Sequence, residues 1–139
     1  MRCLPLRLEP GSDLRASLEA VASVAGPTSA FVIAGIGSLV NAKLRLAGAE
    51  SETLVHGDVE LLSLSGTITP DGAHLHMAVA NSSGQVVGGH VCYGNIVRTT
   101  AEVLLMELGE WRLGREQDTQ TGFKELVVRS AVGGSTNAA

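Results

Sequence analysis

From residue 29 onward the chain is a succession of short β-branched and apolar runs, at 31–37, 42–46, 52–55, 59–69, 73–80 and 86–93, cut by glycines and polar turns. Many short strands between turn signals can satisfy their backbones only by pairing with near neighbours, which predicts a largely antiparallel sheet. Residues 3–8 alternate apolar and polar around Pro5, the pattern of an edge strand, where the missing N–H can face solvent. Only one segment has a secure helical period. Leu14, Leu18, Val21 and Ala25 recur at spacings of four, three and four, after Ser12 or Asp13 as N-cap and before Gly26-Pro27 as a stop. Residues 96–108 suit either a helix or a buried strand, and periodicity leaves the choice open. The polar residues 112–122 are expected to be a loop leading to a last strand at 125–129. The expected architecture is therefore α+β: a largely antiparallel mixed β-sheet with one main N-terminal helix. It forms a single domain over residues 1–130, with 131–139 a disordered tail that has little to bury.

Composition narrows the function. Aromatic residues make up 3% of the chain, so the platform on which single-stranded bases stack is missing. The net charge is -4 and the only lysines, Lys43 and Lys124, lie far apart, so no basic stripe offers a phosphate-binding surface. Gly35-Ile36-Gly37-Ser38 lacks the Lys-Ser/Thr of a P-loop and the third glycine of a dinucleotide fold. Cys3 and Cys92 are too few for a disulfide framework or a zinc knuckle and read as buried, reduced thiols. No secretion signal or apolar run long enough to span a membrane is apparent, and the expected compartment is the cytoplasm.

Three of the four histidines fall in one hairpin, His74 and His76 on one strand and His90 on the next. Imidazoles two apart on a strand share a face. Whether His90 joins them depends on the turn. A two-residue loop at Ser82-Ser83 pairs Leu75 with His90 and puts His90 on the opposite face. A three-residue loop, Ser82-Ser83-Gly84, pairs His76 with His90, and Gly84 favours this register because serine would be strained at the positive-φ positions of the shorter turn. Three imidazoles then converge as a metal site for zinc or another divalent cation, with a coordination position left for water or substrate. The same parity turns Leu75, Met77, Val79, Val87, Val91 and Tyr93 toward the core. Cys92, opposite His74, is a candidate fourth ligand. His56, before Gly57-Asp58, reads as a surface residue. Glu60 and Glu102 sit in apolar runs, where a carboxylate near a metal would serve as general acid or base; the plainer alternatives are a salt bridge to Arg98 or Arg115 or an exposed strand position. Arg115, in the polar segment, is a candidate for binding a substrate anion.

The segments Glu60-Leu61-Leu62-Ser63-Leu64-Ser65-Gly66-Thr67, His74-Leu75-His76, Gly88-Gly89-His90, Thr100-Ala101-Glu102-Val103 and Thr121-Gly122-Phe123 resemble the ordered motifs of the plants-and-prokaryotes conserved domain (PPC, DUF296). The resemblance covers about residues 4–129. It implies a fold similar to that of acetolactate decarboxylase, the AF0104/ALDC-like class, and matches His74, His76 and His90 to that enzyme's zinc ligands. It also implies a homotrimer. In plants the domain accompanies AT-hooks with an Arg-Gly-Arg-Pro core; this chain has no such tetrapeptide. The function expected is a trimeric, DNA-associated regulatory domain that binds a divalent metal, with any DNA association indirect. The alternatives are a zinc-dependent, decarboxylase-like enzyme acting on a small anionic metabolite and, as the family's label suggests, direct DNA binding.

Overall fold

The computed structural model describes residues 1–24 and 29–131. In chain order the elements are β1 (Arg2–Leu8), α1 (Leu14–Val24), β2 (Ala30–Leu39), β3 (Ala42–Arg45), β4 (Thr53–Val55), β5 (Val59–Thr69), β6 (Gly72–Ala80), β7 (Val86–Val91), β8 (Val97–Glu107), β9 (Trp111–Gln117) and β10 (Lys124–Ser130). The strands form an eight-stranded sheet in the order β1-β8-β2-β5-β6-β7-β3-β4 and a separate β9–β10 hairpin. Every ladder among the described residues is antiparallel, so the parallel component of a mixed sheet is absent there. The α+β class stands, with α1 as the helix.

One face of the sheet carries the core. Val32, Leu64, Leu75, Met77, Val79, Val91 and Leu105 are buried there with Leu14 and Leu18 of α1. Asp13 is the cap of α1: its Oδ1 accepts the Ala16 N–H at 3.0 Å while its Oδ2 accepts the N–H of Gly94, tying the helix start to the end of the histidine hairpin. The expected stop at Gly26-Pro27, the periodic position Ala25 and all of the tail except Ala131 lie outside the described residues.

Residues 96–108 resolve as strand. Val97, Ala101, Val103 and Leu105 are buried at odd-numbered positions between β1 and β2, where a buried strand needs a period of two. The expected loop at 112–122 is a correction: most of it is β9, paired from Trp111↔Ser130 to Gln117↔Lys124. Its polar residues are those of a hairpin with a solvated face, and Leu113, buried and bonded through its N–H to Ser29 Oγ at 2.7 Å, anchors it. The cysteines also differ from expectation. Cys3 is exposed because it points outward from edge strand β1, and Cys92 is only partly buried. Among the described residues no helix is long and apolar enough to cross a membrane.

Gly66 has positional necessity. Its φ of 143° lies where L side chains are strained, and a Cβ there would run into the carbonyl oxygen of His74 and come within 2.9 Å of the Leu75 Cα. The absent side chain lets β5 and β6 approach behind the histidines. Gly66→Ala is expected to destabilise the protein by about 2–4 kcal/mol in urea unfolding, from strain and backbone collision together. A loss below ~0.5 kcal/mol would show that β5 and β6 are not in this close contact.

Candidate metal centre

The turn of the histidine hairpin is the three-residue form. Asn81 N–H donates to Gln85 O at 3.0 Å, Gly84 N–H donates to Asn81 O at 2.9 Å, and Gly84 takes φ 77°. Asn81 Oδ1 accepts from Ser83 N, Ser83 Oγ and Gln85 N at 3.0, 2.7 and 3.0 Å, so one side chain closes the loop. The ladder below runs Ala80↔Val86, Ala78↔Gly88 and His76↔His90. Gly88 and Ala78 leave this face low beside the rings. On the opposite face Leu75, Met77, Val79 and Val91 are buried as parity requires, whereas Tyr93, expected with them, is 52% exposed. The reason is that the ladder ends at His76↔His90, before reaching Tyr93.

The three imidazoles converge. His74 and His76 have Nε2 atoms 3.2 Å apart, and ring centroids are 4.9 Å apart for His74–His76, 5.2 Å for His74–His90 and 4.5 Å for His76–His90. One ring nitrogen from each lies within 4.8 Å of the others, a spacing that could hold a metal ion. His90 Nδ1 lies 3.2 Å from the Arg45 carbonyl oxygen. A carbonyl can only accept, so Nδ1 is the donor; in the neutral ring this leaves the lone pair on Nε2, the arrangement that orients a ligating histidine. Burial lowers the pKa of His74, with further contributions from the Arg115 guanidinium and the other two imidazoles; burial and then His90 lower that of His76. Both rings are thereby biased to the neutral form that donates to a metal.

Beside the rings lies a cleft of about 690 Å³, bounded by His74, His90, Arg45, Arg115, Asp71 and Glu125 among others. Arg115 is on β9 rather than in a loop. Its Nη2 donates to Thr67 Oγ1 at 2.7 Å, and Thr67 is the cross-strand partner of His74, so the guanidinium stands next to the rings. Arg45 flanks the other side, directly across from His90 in the row Ser65–His76–His90–Arg45. Arg45 and Glu125 escaped sequence reasoning. The pairing of β3 with β7 joins residues 45 apart, which no local pattern announces, and Glu125 arrives only when the β9–β10 hairpin folds over this end.

Glu60 and Glu102 are not brought to the rings. Glu60 pairs with Ala80, four residues along β6 from His76 and so ~13 Å away. Glu102 is on β8, opposite Arg7 and Ile36, with β2 and β5 intervening. Both are exposed, and Arg98 pairs with Asp58 at 2.8 Å instead of with either. Cys92 does not join the metal-spaced cluster; burial and then the neighbouring Glu52 raise its thiol pKa. His56 is exposed.

The fold recurs among known proteins. The model of the Plants and Prokaryotes Conserved (PCC) domain matches residues 1–109. The chain is 41% identical over 133 residues to the bifunctional protein GlmU of Synechococcus sp. (strain JA-2-3B'a(2-13)), spanning 96% of this chain but only 21% of that protein. It is 32% identical to the AT-hook motif nuclear-localized protein 27 of Arabidopsis thaliana, over 76% of this chain and 38% of the plant protein. A hypothetical protein from Salmonella superposes with TM-score 0.91 at 36% identity, covering 94% of this chain and 95% of the other. The metal-containing protein AF0104 from Archaeoglobus fulgidus does so with TM-score 0.79 at 26% identity, covering 91% and 94%.

The hydrogen bond to Arg45 fixes a measurable property. In the metal-free protein, nitrogen NMR is expected to show that the neutral form of the His90 ring is the Nδ1–H tautomer. A predominantly Nε2–H ring would mean that the bond, and the orientation it imposes, is absent.

Proposed function

The chain belongs to the Plants and Prokaryotes Conserved domain family, and on that premise we propose that it is a metal-binding, self-associating regulatory domain. His74, His76 and His90 hold one divalent cation, zinc or another ion suited to imidazole. The carrying observation is the cluster of three ring nitrogens within 4.8 Å, one of them lone-pair-ready through its bond to Arg45. The likeness to a protein described as metal-containing supports it. Association with DNA is indirect in this reading: the net charge of -4 and the absence of an Arg-Gly-Arg-Pro core weigh against phosphate and minor-groove contact. The chain spans about a fifth of the length of the GlmU proteins it matches, so in those relatives a similar segment is one part of a larger chain.

The homotrimer is what the family resemblance implies, and self-association as such is supported by the outward face of the sheet. Ile33 and Ile36 of β2 and Leu62 of β5 are 46%, 55% and 48% exposed, near a shallow hollow of about 530 Å³ over Pro5, Ala34, Ile36 and Leu104. Apolar residues gathered this way mark an association surface. A second reading is favoured by Arg45 and Arg115 on either side of the histidines: a zinc-dependent, decarboxylase-like enzyme acting on a small anionic metabolite. A divalent ion there would polarise an oxygen of the ligand, while the guanidiniums would bind and orient its anionic group.

Protein purified without a histidine tag is expected to contain about one metal ion per chain by elemental analysis. His76→Ala should lower zinc affinity by more than the ~10–100-fold that loss of an outer partner costs. Unchanged metal content in the variant would sink the ligand assignment. Light scattering during gel filtration should give the mass of three chains, and Ile36→Asp should shift it toward one; a single-chain mass for the unaltered protein would remove the trimer. Metal-dependent turnover of small carboxylic acids, lost in Arg115→Ala, would select the enzyme reading over the regulatory one.

A further inference from the structure

The β6–β7 ladder stops at His76↔His90, although both strands continue. Extending the same register would pair Leu75 with Val91 and Ala73 with Tyr93. Instead two side chains of α1, four residues apart and so on one helix face, fill the opening. The Arg15 guanidinium donates from Nη1 to Val91 O at 2.9 Å and from Nη2 to Ala73 O at 2.8 Å, bridging the two strands where they part. Its Nε donates to Glu19 Oε1 at 3.1 Å. Glu19 Oε1 in turn accepts the Ala73 N–H at 3.0 Å, and Oε2 accepts the Tyr93 hydroxyl at 2.7 Å. The guanidinium also lies 4.5 Å from the centre of the Tyr93 ring.

Ala73 thus has its N–H and its carbonyl answered by side chains from a helix, and Glu19 spans Ala73 and Tyr93, the residues that would have faced each other across the extended ladder. Ala73 precedes His74, and Val91 follows His90. The two carbonyls held by one rigid fork are therefore next to the two imidazoles whose separation the hairpin turn, seven residues beyond the His76↔His90 pair, controls least.

We infer that the Arg15–Glu19 pair is a positioning device for the histidine cluster, a wedge that holds β6 and β7 apart at the distance at which His74 and His90 share a ligand with His76. Arg15 and Glu19 touch no reacting group; they act through Ala73 and Val91. Without the wedge, the strands either zip one step further, which brings His74 opposite Cys92, or fray. In both cases the His74–His90 spacing is lost while the core face is kept. The proposal rests on the reading of His74, His76 and His90 as ligands for its function, and on the hydrogen bonds alone for its structural part.

The test measures two quantities on the full chain for Arg15→Met and for Arg15→Lys, the latter keeping charge and stem but not the two-pronged fork. The first is zinc affinity by competition with a chelator, at a temperature well below the melting point of each variant. A fall of ~10–100-fold is expected, the range for residues that orient ligands. A residue that merely stabilises the fold would lower the melting temperature and leave this affinity unchanged, so affinities within twofold of wild type in the folded variants overturn the inference. The second is amide exchange of Ala73 in the zinc-free protein, expected to accelerate at least tenfold. Should the wild type take up no zinc, the metal reading fails by itself and the wedge is judged on exchange, with an unaltered Ala73 rate overturning it. If Arg15→Met does not fold, Arg15→Lys gives both measurements.

Discussion

Everything at the histidine cluster depends on where the backbone ladder between β6 and β7 is made and where it is broken. Above His76↔His90 the strands are zipped by regular pairing, and the Asn81 side chain closes the turn. Below it the strands part, and their polar groups are met by arginine and glutamate from a helix on the other side of the sheet. A buried backbone group left unanswered costs ~1–3 kcal/mol, so a split sheet persists only where something else satisfies the opened edges. The consequence reaches both faces: the opening seats α1 beneath the sheet and sets the aim of the rings above it.

The parts of this design that could be read from the sequence are those with short-range causes. Gly84 decided the hairpin register because glycine at that position relieves a strain that serine would bear, and the register put His76 opposite His90. The β-runs gave the strands for the same reason: alternation is local. The polar stretch 112–122 misled because two-stranded hairpins bury little and so carry no apolar signature; only Leu113 betrays β9, and its significance lies in a bond to Ser29, 84 residues away. Arg45 and the wedge were illegible on similar grounds. Arg15 and Glu19 look like an ordinary ion pair on an exposed helix face, and nothing in the spacing tells that their partners are the carbonyls and amide of a separated strand pair.

Glu60 and Glu102 show the converse. Apolar neighbours on a strand suggest burial, yet alternate positions face opposite ways, and these two face the outside. Their proximity in pattern to the family's motifs did not translate into proximity to the rings, because β5 runs past the cluster and places Glu60 at its far end. The groups that do adjoin the histidines, Arg115 through Thr67 and Arg45 through direct pairing, arrive from different parts of the chain. A site of one local hairpin and two remote guanidiniums is thus assembled only once the sheet is complete.

Pro5, at the middle of β1, has a further effect. β1 closes one side of the eight-stranded sheet, and opposite Leu104 it presents a residue with no N–H to offer. A sheet edge with a full set of donors and acceptors is a template on which another chain can lay a strand, and another after that, without limit. Here that lateral growth is interrupted at its centre. The β1 edge is thereby a poor template for strand-by-strand addition of further chains.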